Sequence, residues 1–394
     1  MMANRLLELY IHIPFCVKKC LYCDFLSASA SEAEREDYME ALFLEIRERA
    51  VECKEYQVCS IFIGGGTPSI LPGEQIERML ALIRKHYALT EDAEISIEVN
   101  PGTVDEKKLC IYRAAGVNRL SIGLQSTHDR ELMALGRIHT WQQFLDTYQW
   151  AREAGFDNVN VDLMSALPGQ TRESYAESLG RVLNLRPEHI SAYSLIVEEG
   201  TPFYRAYEKG QLALPDEDTE REMYRDTERL LLEQGYHRYE ISNYALPGKE
   251  CRHNVGYWTR REYLGFGLGA ASLMDNTRFH NTAERQAYVE SPLQQRQEIQ
   301  PLKRQEQMEE TMYLGLRLTQ GVSREEFRQR FGVSPEDIYG PVIEKNRRDG
   351  LLEYHRKEEG NTEGCQDGDE MAYLALTPRG LDLSNYVMAQ FLLE

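Results

Sequence analysis

The chain has 394 residues, 42% hydrophobic and 28% charged, a composition with enough apolar material for two or three globular domains. Its net charge of −19, from 45 basic against 64 acidic residues, speaks against a broad nucleic-acid-binding surface. No apolar run approaches the roughly 20 residues that span a bilayer, no secretory signal precedes Tyr10, and eight cysteines in that setting read as the reduced thiols of a cytoplasmic protein.

Residues 6–13 read as a strand, and three thiols follow its end in Cys16-Val-Lys-Lys-Cys20-Leu-Tyr22-Cys23. Such a short run wraps its sulfurs around one compact metal centre. Thiolates suit zinc or an iron–sulfur cluster. Structural zinc closes its shell with four ligands, so a zinc loop here needs a distant Cys or His as the fourth. A cubane on three thiolates keeps one iron open to a substrate or cofactor.

The next elements alternate. Residues 32–50 form a helix N-capped by Ser31, and residues 58–63 are a short apolar strand ending in Gly64-Gly65-Gly66-Thr67-Pro68. Helical spacing over 73–86 leads to a strand over 95–99, with Glu98, Asn100 and Pro101 at its end. A helix over 105–115 is closed by Gly116, and the strand 119–124 stops at Gln125. Helix 141–154, strand 158–164 with Asp162, helix 173–185 and strand 189–196 complete six β–loop–α units over residues 5–200. Cys16, Cys20, Cys23, Gly64 to Thr67, Glu98, Gln125, Asp162 and Ser194 all fall at or just after the C-terminal ends of successive strands. Parallel β/α barrels gather their sites on that face.

Beyond residue 200 the pattern loosens. A helix over 216–233 and a strand over 239–244 precede Cys251-Arg-His253-Asn254-Val-Gly-Tyr257-Trp258. Residues 263–274, rich in Gly and aromatics, read as tight turns, and the polar, Gln-rich stretch 285–303 reads as a linker. Helices over 306–318, 323–331 and 335–349, then strands over 351–354 and 371–376 flanking a charged tip, resemble a winged helix serving as a packing or partner module. The expected domains are residues 1–200, an accessory segment 201–303, and 304–394. Cys53, Cys59 and Cys110 sit beside apolar residues and read as small core side chains, whereas Cys365 lies in a polar loop.

The spacing C-x3-C-x2-C, with an aromatic before the third Cys, resembles the cluster loop of radical S-adenosylmethionine (SAM) enzymes. The longer string Tyr10-x-His-Ile-Pro-Phe-Cys16-x3-Cys20-x-Tyr22-Cys23 resembles the oxygen-independent coproporphyrinogen III oxidases and their heme-chaperone relatives. The resemblance runs over nearly the whole chain. It implies an α/β fold with a six-stranded partial (β/α) TIM-like barrel and a C-terminal winged-helix-like domain. It also implies a [4Fe–4S] cluster on Cys16, Cys20 and Cys23, whose fourth iron takes the amino and carboxylate groups of SAM. Reduction of that cluster cleaves SAM to a 5′-deoxyadenosyl radical.

Gly65, Gly66 and Thr67 resemble the family's loop for the SAM amino group; no Lys follows, so a phosphate-binding loop is not supported. Glu98, Gln125, Arg137 and Asp162 match family positions that contact SAM. Tyr10 and Ile196 match weaker ones, and Tyr22 joins them while shielding the cluster with Phe15. Each of these side chains alone is more often a structural hydrogen bonder; their gathering on one face favours a site.

The oxidases carry Cys-x-Cys where this chain has Cys23-Asp24-Phe25, and this chain begins almost directly at its first strand where they carry an extension. Both differences match the heme-chaperone branch. His253-Asn254-x-x-Tyr257-Trp258 matches a string associated with heme there. A neutral imidazole is a good axial ligand and aromatics stack on porphyrin, although the residues alone read first as a packed His in an aromatic cluster. The implied function is to hold heme and deliver it to respiratory hemoproteins at the membrane. Oxidative decarboxylation of coproporphyrinogen is the alternative, and a radical enzyme for another substrate a third, so enzyme status stays open. The implied partners are heme, apo-hemoproteins of the respiratory chain, and a flavodoxin or ferredoxin reductant, with transient membrane association, no nucleic acid, and a monomeric or dimeric state.

Overall fold

Alternation along the first strand sets the architecture. In β1 (Arg5–Ile13), Leu7, Leu9, Ile11 and Ile13 are fully buried in the main apolar core, and the residues between them, Glu8, Tyr10 and His12, face the other side. The computed structural model describes residues 5–356 and 372–393. They form two compact units. The first comprises the chain to His237, Ser242–His253 and Glu262–Gln300; the second comprises Arg238–Ile241, Asn254–Arg261 and the chain from Pro301 on.

In the first unit β2 (Tyr56–Gly65), β3 (Leu89–Val99), β4 (Arg119–Gln125), β5 (Val159–Ser165) and β6 (His189–Ser194) follow β1 in parallel and in sequence order. The crossovers are α1 (Glu32–Arg49), α2 (Gly73–His86), α3 (Glu106–Ala114), α4 (Asp129–Ala134) with α5 (Trp141–Glu153), and α6 (Arg172–Leu185). Apolar strands buried on the helix side and linked by helices are the expected form of a parallel sheet. Local signals start these helices: Ser31 makes a capping box with Glu34, and Thr140 makes one with Gln143.

The sheet then grows at both ends. After α7 (Pro202–Glu208) and α8 (Glu217–Glu233), β7 (His237–Arg238) and β8 (Asn243–Ala245) extend it beyond β6. After α9 (Arg252–Trp258), β9 (Tyr263–Phe266) adds in parallel to β1, followed by β10 (Ala271–Met274), β11 (Thr277–Asn281), α10 (Arg285–Glu290) and β12 (Arg296–Pro301). The twelve-stranded order is β12-β11-β10-β9-β1-β2-β3-β4-β5-β6-β8-β7, an open, partial barrel whose six central parallel strands are those read from the sequence.

In the second unit α11 (Arg304–Gly315), β13 (Val322–Ser323), α12 (Arg324–Phe331), α13 (Pro335–Arg348), β14 (Leu352–His355), β15 (Tyr373–Leu376), α14 (Pro378–Asp382) and α15 (Ser384–Ala389) enclose a core that includes Met312, Phe327, Tyr339, Ile343, Leu374 and Phe391. Its antiparallel sheet has the order β13-β15-β14.

Four expectations need correction. The stretch 285–303 is not a linker but a helix and a strand, and residues 263–274 hold a strand pair instead of turns alone. The single strand over 239–244 is replaced by β7 and β8. Cys110 is exposed, not in the core, because it lies on the outer face of α3. Residues 357–371, which carry Cys365, Met371 and most of the expected charged tip, lie outside the described residues.

Candidate functional site

The cysteine loop leaves β1 at Ile13 and is held from several sides. Phe15 bridges Ala28, the Cys16 amide donates to the Ala28 carbonyl (3.1 Å), and the Leu21 amide donates to the Leu135 carbonyl (3.0 Å). The glycine loop at the end of β2 docks on it, with the Gly66 amide donating to Ile13 O (2.8 Å) and the Thr67 amide to Phe15 O (2.7 Å). A Cβ on Gly66 would lie 2.8 Å from both N and O of Phe15, which is why this position takes no side chain. Gly65, at φ +109°, would drive a Cβ to 2.5 Å from the His12 ring.

The three thiols are partly exposed. Thr67 Oγ1 donates to Cys16 Sγ (3.5 Å), and Arg137 Nη1 donates to Cys20 Sγ (3.7 Å). Burial pushes the Cys23 thiol up, against the downward pull of the Phe25 backbone amide and of Lys19. Among the described residues, no three His, Cys, Asp or Glu side chains close on one point as the ligands of a single ion do.

The strand register carries the other predicted residues to the same end of the sheet. Ile13 pairs with Gly65, Gly123 with Asp162, and Ser165 with Ser194. Glu98 Oε2 accepts the Gly65 amide (3.0 Å). Loss of water, and then the neighbouring Asp162, push the Glu98 carboxyl up to about 7. Burial likewise raises Asp162, while a hydrogen bond from Asn160 Nδ2 (2.7 Å) holds it down. Arg137 Nη2 donates to Asn100 Oδ1 (2.7 Å) and to the Gly123 carbonyl (2.6 Å), and its Nε is buried with no hydrogen-bond partner. A bulge at the end of β4 turns Gln125 to φ 75°, and its Oε1 accepts the Tyr193 hydroxyl (3.2 Å).

Tyr10 shares a hydrogen bond with His12 Nδ1 (2.9 Å), and the other nitrogen of that ring meets the Leu26 carbonyl (2.8 Å). Burial raises the Tyr22 hydroxyl; Arg137 pulls it down, and Cys20, Cys23 and Asp162 push it up, so this ring sits among the predicted groups. Ile196 lies just past β6 and is 68% exposed. The face therefore joins two carboxylates that favour a cationic ligand, an arginine suited to a carboxylate, and three thiols.

The string around His253 lies elsewhere. His253 is 1% exposed: its Nδ1 meets Ser60 Oγ (2.8 Å) and its amide donates to Glu94 (3.2 Å). Ser60 and Glu94 lie midway along β2 and β3, each four residues before Gly64 and Glu98 at the strand ends. The division between the two units falls after His253. In the second unit Arg317 lies over the Trp258 ring, 4.3 Å from its centroid, while Asn254 and Tyr257 are partly exposed. The imidazole expected to face a ligand is thus packed inside the first unit.

Four residues of the site were missed. Asn100, Tyr193 and His12 all contact predicted residues, and two of them have a signal in the strand period: Asn100 is two residues past Glu98, and His12 two past Tyr10. His139 joins them. Burial and then Arg137 push its imidazole down to about 3.

Residues 10–182 match the sequence model of the Radical SAM superfamily, and residues 302–357 that of the HemN C-terminal domain. The heme chaperone HemW of Bacillus subtilis (strain 168) is 37% identical over 392 residues, covering 98% of this chain and 99% of that protein. The heme chaperone HemW of Lactococcus lactis subsp. lactis (strain IL1403) is 35% identical over 386 residues, covering 98% and 97%. Among solved structures, coproporphyrinogen III oxidase (HemN) from Escherichia coli, described as a radical SAM enzyme, superposes with a TM-score of 0.82 at 26% identity, covering 99% of this chain and 90% of that one.

Proposed function

The chain belongs to the HemW family of heme chaperones within the radical SAM superfamily, and we propose that it binds heme and hands it to apo-hemoproteins of the respiratory chain, with a barrel that holds a [4Fe–4S] cluster and SAM. The observation that carries the cofactor part is the convergence of Cys16, Cys20 and Cys23 with Glu98, Arg137 and Asp162 on one strand-end face. The residues fit both groups. The donor set is all thiol and three-membered, which suits a cubane with one open iron. A Cβ at Gly64, Gly65 or Gly66 would collide with Phe62, the His12 ring or the Phe15 backbone, so only glycines let this loop dock on the cysteine loop, and the buried Arg137 Nε lacks a partner.

When bound, the cluster supplies the electron that cleaves the carbon–sulfur bond of SAM. The chain's own residues do the rest. Thr67 and Arg137 donate to the Cys16 and Cys20 sulfurs, which would tune the potential of a cluster held there. Glu98 and Asp162 receive hydroxyl or ammonium groups, Arg137 receives a carboxylate, and the Tyr22 ring keeps water from the loop. Tyr10, Gln125 and Ile196 complete the proposed SAM set.

The heme part rests on the family and on the His253, Asn254, Tyr257, Trp258 string. Ligation by His253 requires its imidazole to leave Ser60 and Phe62. Delivery is proposed from the cytoplasm by transient contact, with a flavodoxin or ferredoxin as reductant; among the described residues no helix is long and apolar enough to cross a membrane. A second reading, coproporphyrinogen oxidation, is favoured by the superposition on HemN and disfavoured by Phe25 in place of a further thiol.

The test is anaerobic reconstitution followed by two assays: heme titration read at the Soret band, and product analysis with coproporphyrinogen, SAM and a reductant. Stoichiometric heme binding without protoporphyrinogen is expected. Multiple-turnover protoporphyrinogen formation would replace the chaperone reading with the oxidase.

A further inference from the structure

Asn100 stands between the donors of two cluster thiols. Its Oδ1 accepts Arg137 Nη2 (2.7 Å), and its Nδ2 donates to Thr67 Oγ1 (2.8 Å). An arginine only donates, so the amide end facing Arg137 must be the oxygen, and the NH2 must face Thr67. Because Thr67 Oγ1 accepts from Asn100, its own hydrogen is left for Cys16 Sγ at 3.5 Å. Arg137, held by Asn100 Oδ1 and the Gly123 carbonyl, turns Nη1 toward Cys20 Sγ at 3.7 Å. The path runs Cys16–Thr67–Asn100–Arg137–Cys20 and joins four separate stretches of chain.

The centre of this path is held rigidly. The Asn100 amide donates to Ser69 Oγ (3.0 Å), and its carbonyl accepts the Thr103 hydroxyl (2.7 Å) and the Thr103 amide (3.1 Å). Lys108 Nζ ties the same turn together through the carbonyls of Ser69 (3.0 Å) and Thr103 (2.9 Å). A Cβ at Gly123 would come within 2.8 Å of Asn100 Oδ1, so the amide also fills its space. Only a side chain with a donor at one end and an acceptor at the other serves both neighbours.

We infer that Asn100 is a positioning residue that aims the Thr67 hydroxyl at Cys16 and the Arg137 guanidinium at Cys20, and so sets the reduction potential of the cluster. The inference rests on the cluster reading above. Donors to cluster sulfur favour the reduced, more negative state, so their loss lowers the potential.

The test is a redox titration of the reconstituted full chain, read by the paramagnetic signal of the reduced cluster, with iron and sulfide measured on each sample. Thr67→Val is expected to shift the midpoint to more negative values in the wild-type background. It is expected to cause no further shift in Asn100→Leu, whose own shift exceeds that of Thr67→Val because Arg137 is released as well. Asn100→Asp keeps the shape and covers a fold defect in the leucine variant. Its carboxylate takes the Thr67 hydrogen for itself, so Thr67→Val should again be silent. Equal Thr67→Val shifts in all three backgrounds would overturn the role of Asn100 while leaving the cluster in place. Wild-type protein that takes up no iron and sulfide would instead overturn the cluster reading, and the inference with it.

Discussion

The imidazole of His253 stacks on the ring of Phe62, with centroids 5.3 Å apart and planes 26° apart. With Ser60 on Nδ1 and Glu94 on the backbone amide, this histidine is a packed side chain in the structure described. His253→Ala is expected to destabilise the protein by about 2–4 kcal/mol, from a lost buried ring and an unpaired Ser60 hydroxyl. Urea unfolding of the metal-free protein measures this. A change below about 0.5 kcal/mol would show that the packing is not worth what its burial implies.

Each cluster thiol holds a different iron in the proposed arrangement. Cys16→Ala, Cys20→Ala and Cys23→Ala are each expected to abolish the reconstituted cluster, whereas Cys53→Ala, in the apolar core, leaves it intact. Iron and sulfide analysis decides, and a full cluster in Cys20→Ala sinks the assignment.

Glu98 gives a pH signature with a definite sign. Its carboxyl is raised to about 7 in the folded protein, above its value in an unfolded chain, so the folded state holds the proton more tightly. That stabilisation is fully present below the unfolded value and is lost as pH rises through about 7. Asp162 is shifted the same way. Melting temperatures of cofactor-free protein should therefore fall between about pH 5 and pH 8, and Glu98→Gln should flatten the slope. A cationic ligand prefers ionised Glu98, so SAM affinity should weaken below about pH 7, by up to about tenfold per unit. A calorimetric titration with flat affinity from pH 5.5 to 7.5 would separate Glu98 from the SAM site.

Gly66→Ala places a methyl group against the backbone of Phe15 and Ile13. A cost of about 1–3 kcal/mol is expected, with faster loss of iron to a chelator, because the cysteine loop must shift. Gly180, inside α6 with nothing within 4 Å of an added Cβ, is the control. Gly180→Ala should stabilise by about 0.5–1 kcal/mol and leave iron retention unchanged.

The six central strands were legible because each is an apolar run that ends in a polar or glycine residue, and the strand ends lined up Gly65, Glu98, Gln125 and Asp162 without any knowledge of contacts. The strand end placed Asn100 beside Glu98, but its link to Thr67 and Arg137 was not legible. Its partners Thr67 and Arg137 are 33 and 37 residues away, and hydrogen-bond closure over that distance leaves no mark on local periodicity. His253 is packed, as its residues alone read, but its partners were hidden for a related reason: Ser60, Glu8 and Glu94 are polar residues on strands, which hydropathy alone assigns to solvent. β9 was read as turns because Gly265 interrupts it, yet a Cβ there would sit 2.3 Å from the Ala271 carbonyl, so the glycine serves the strand pairing.

The stretch mistaken for a linker, β12, closes one end of the sheet order, and β7 closes the other. An open twelve-stranded sheet offers its terminal strands to any other extended chain, a standing invitation to aggregate. β12 is nearly all exposed, is polar at most positions, carries Glu298 at φ 49° and ends in Pro301; β7 is only two residues long. Kinked, charged and brief edges of this kind refuse a second copy's strand. The polarity that disguised β12 in the sequence is thus what makes the open rim a poor template for another strand.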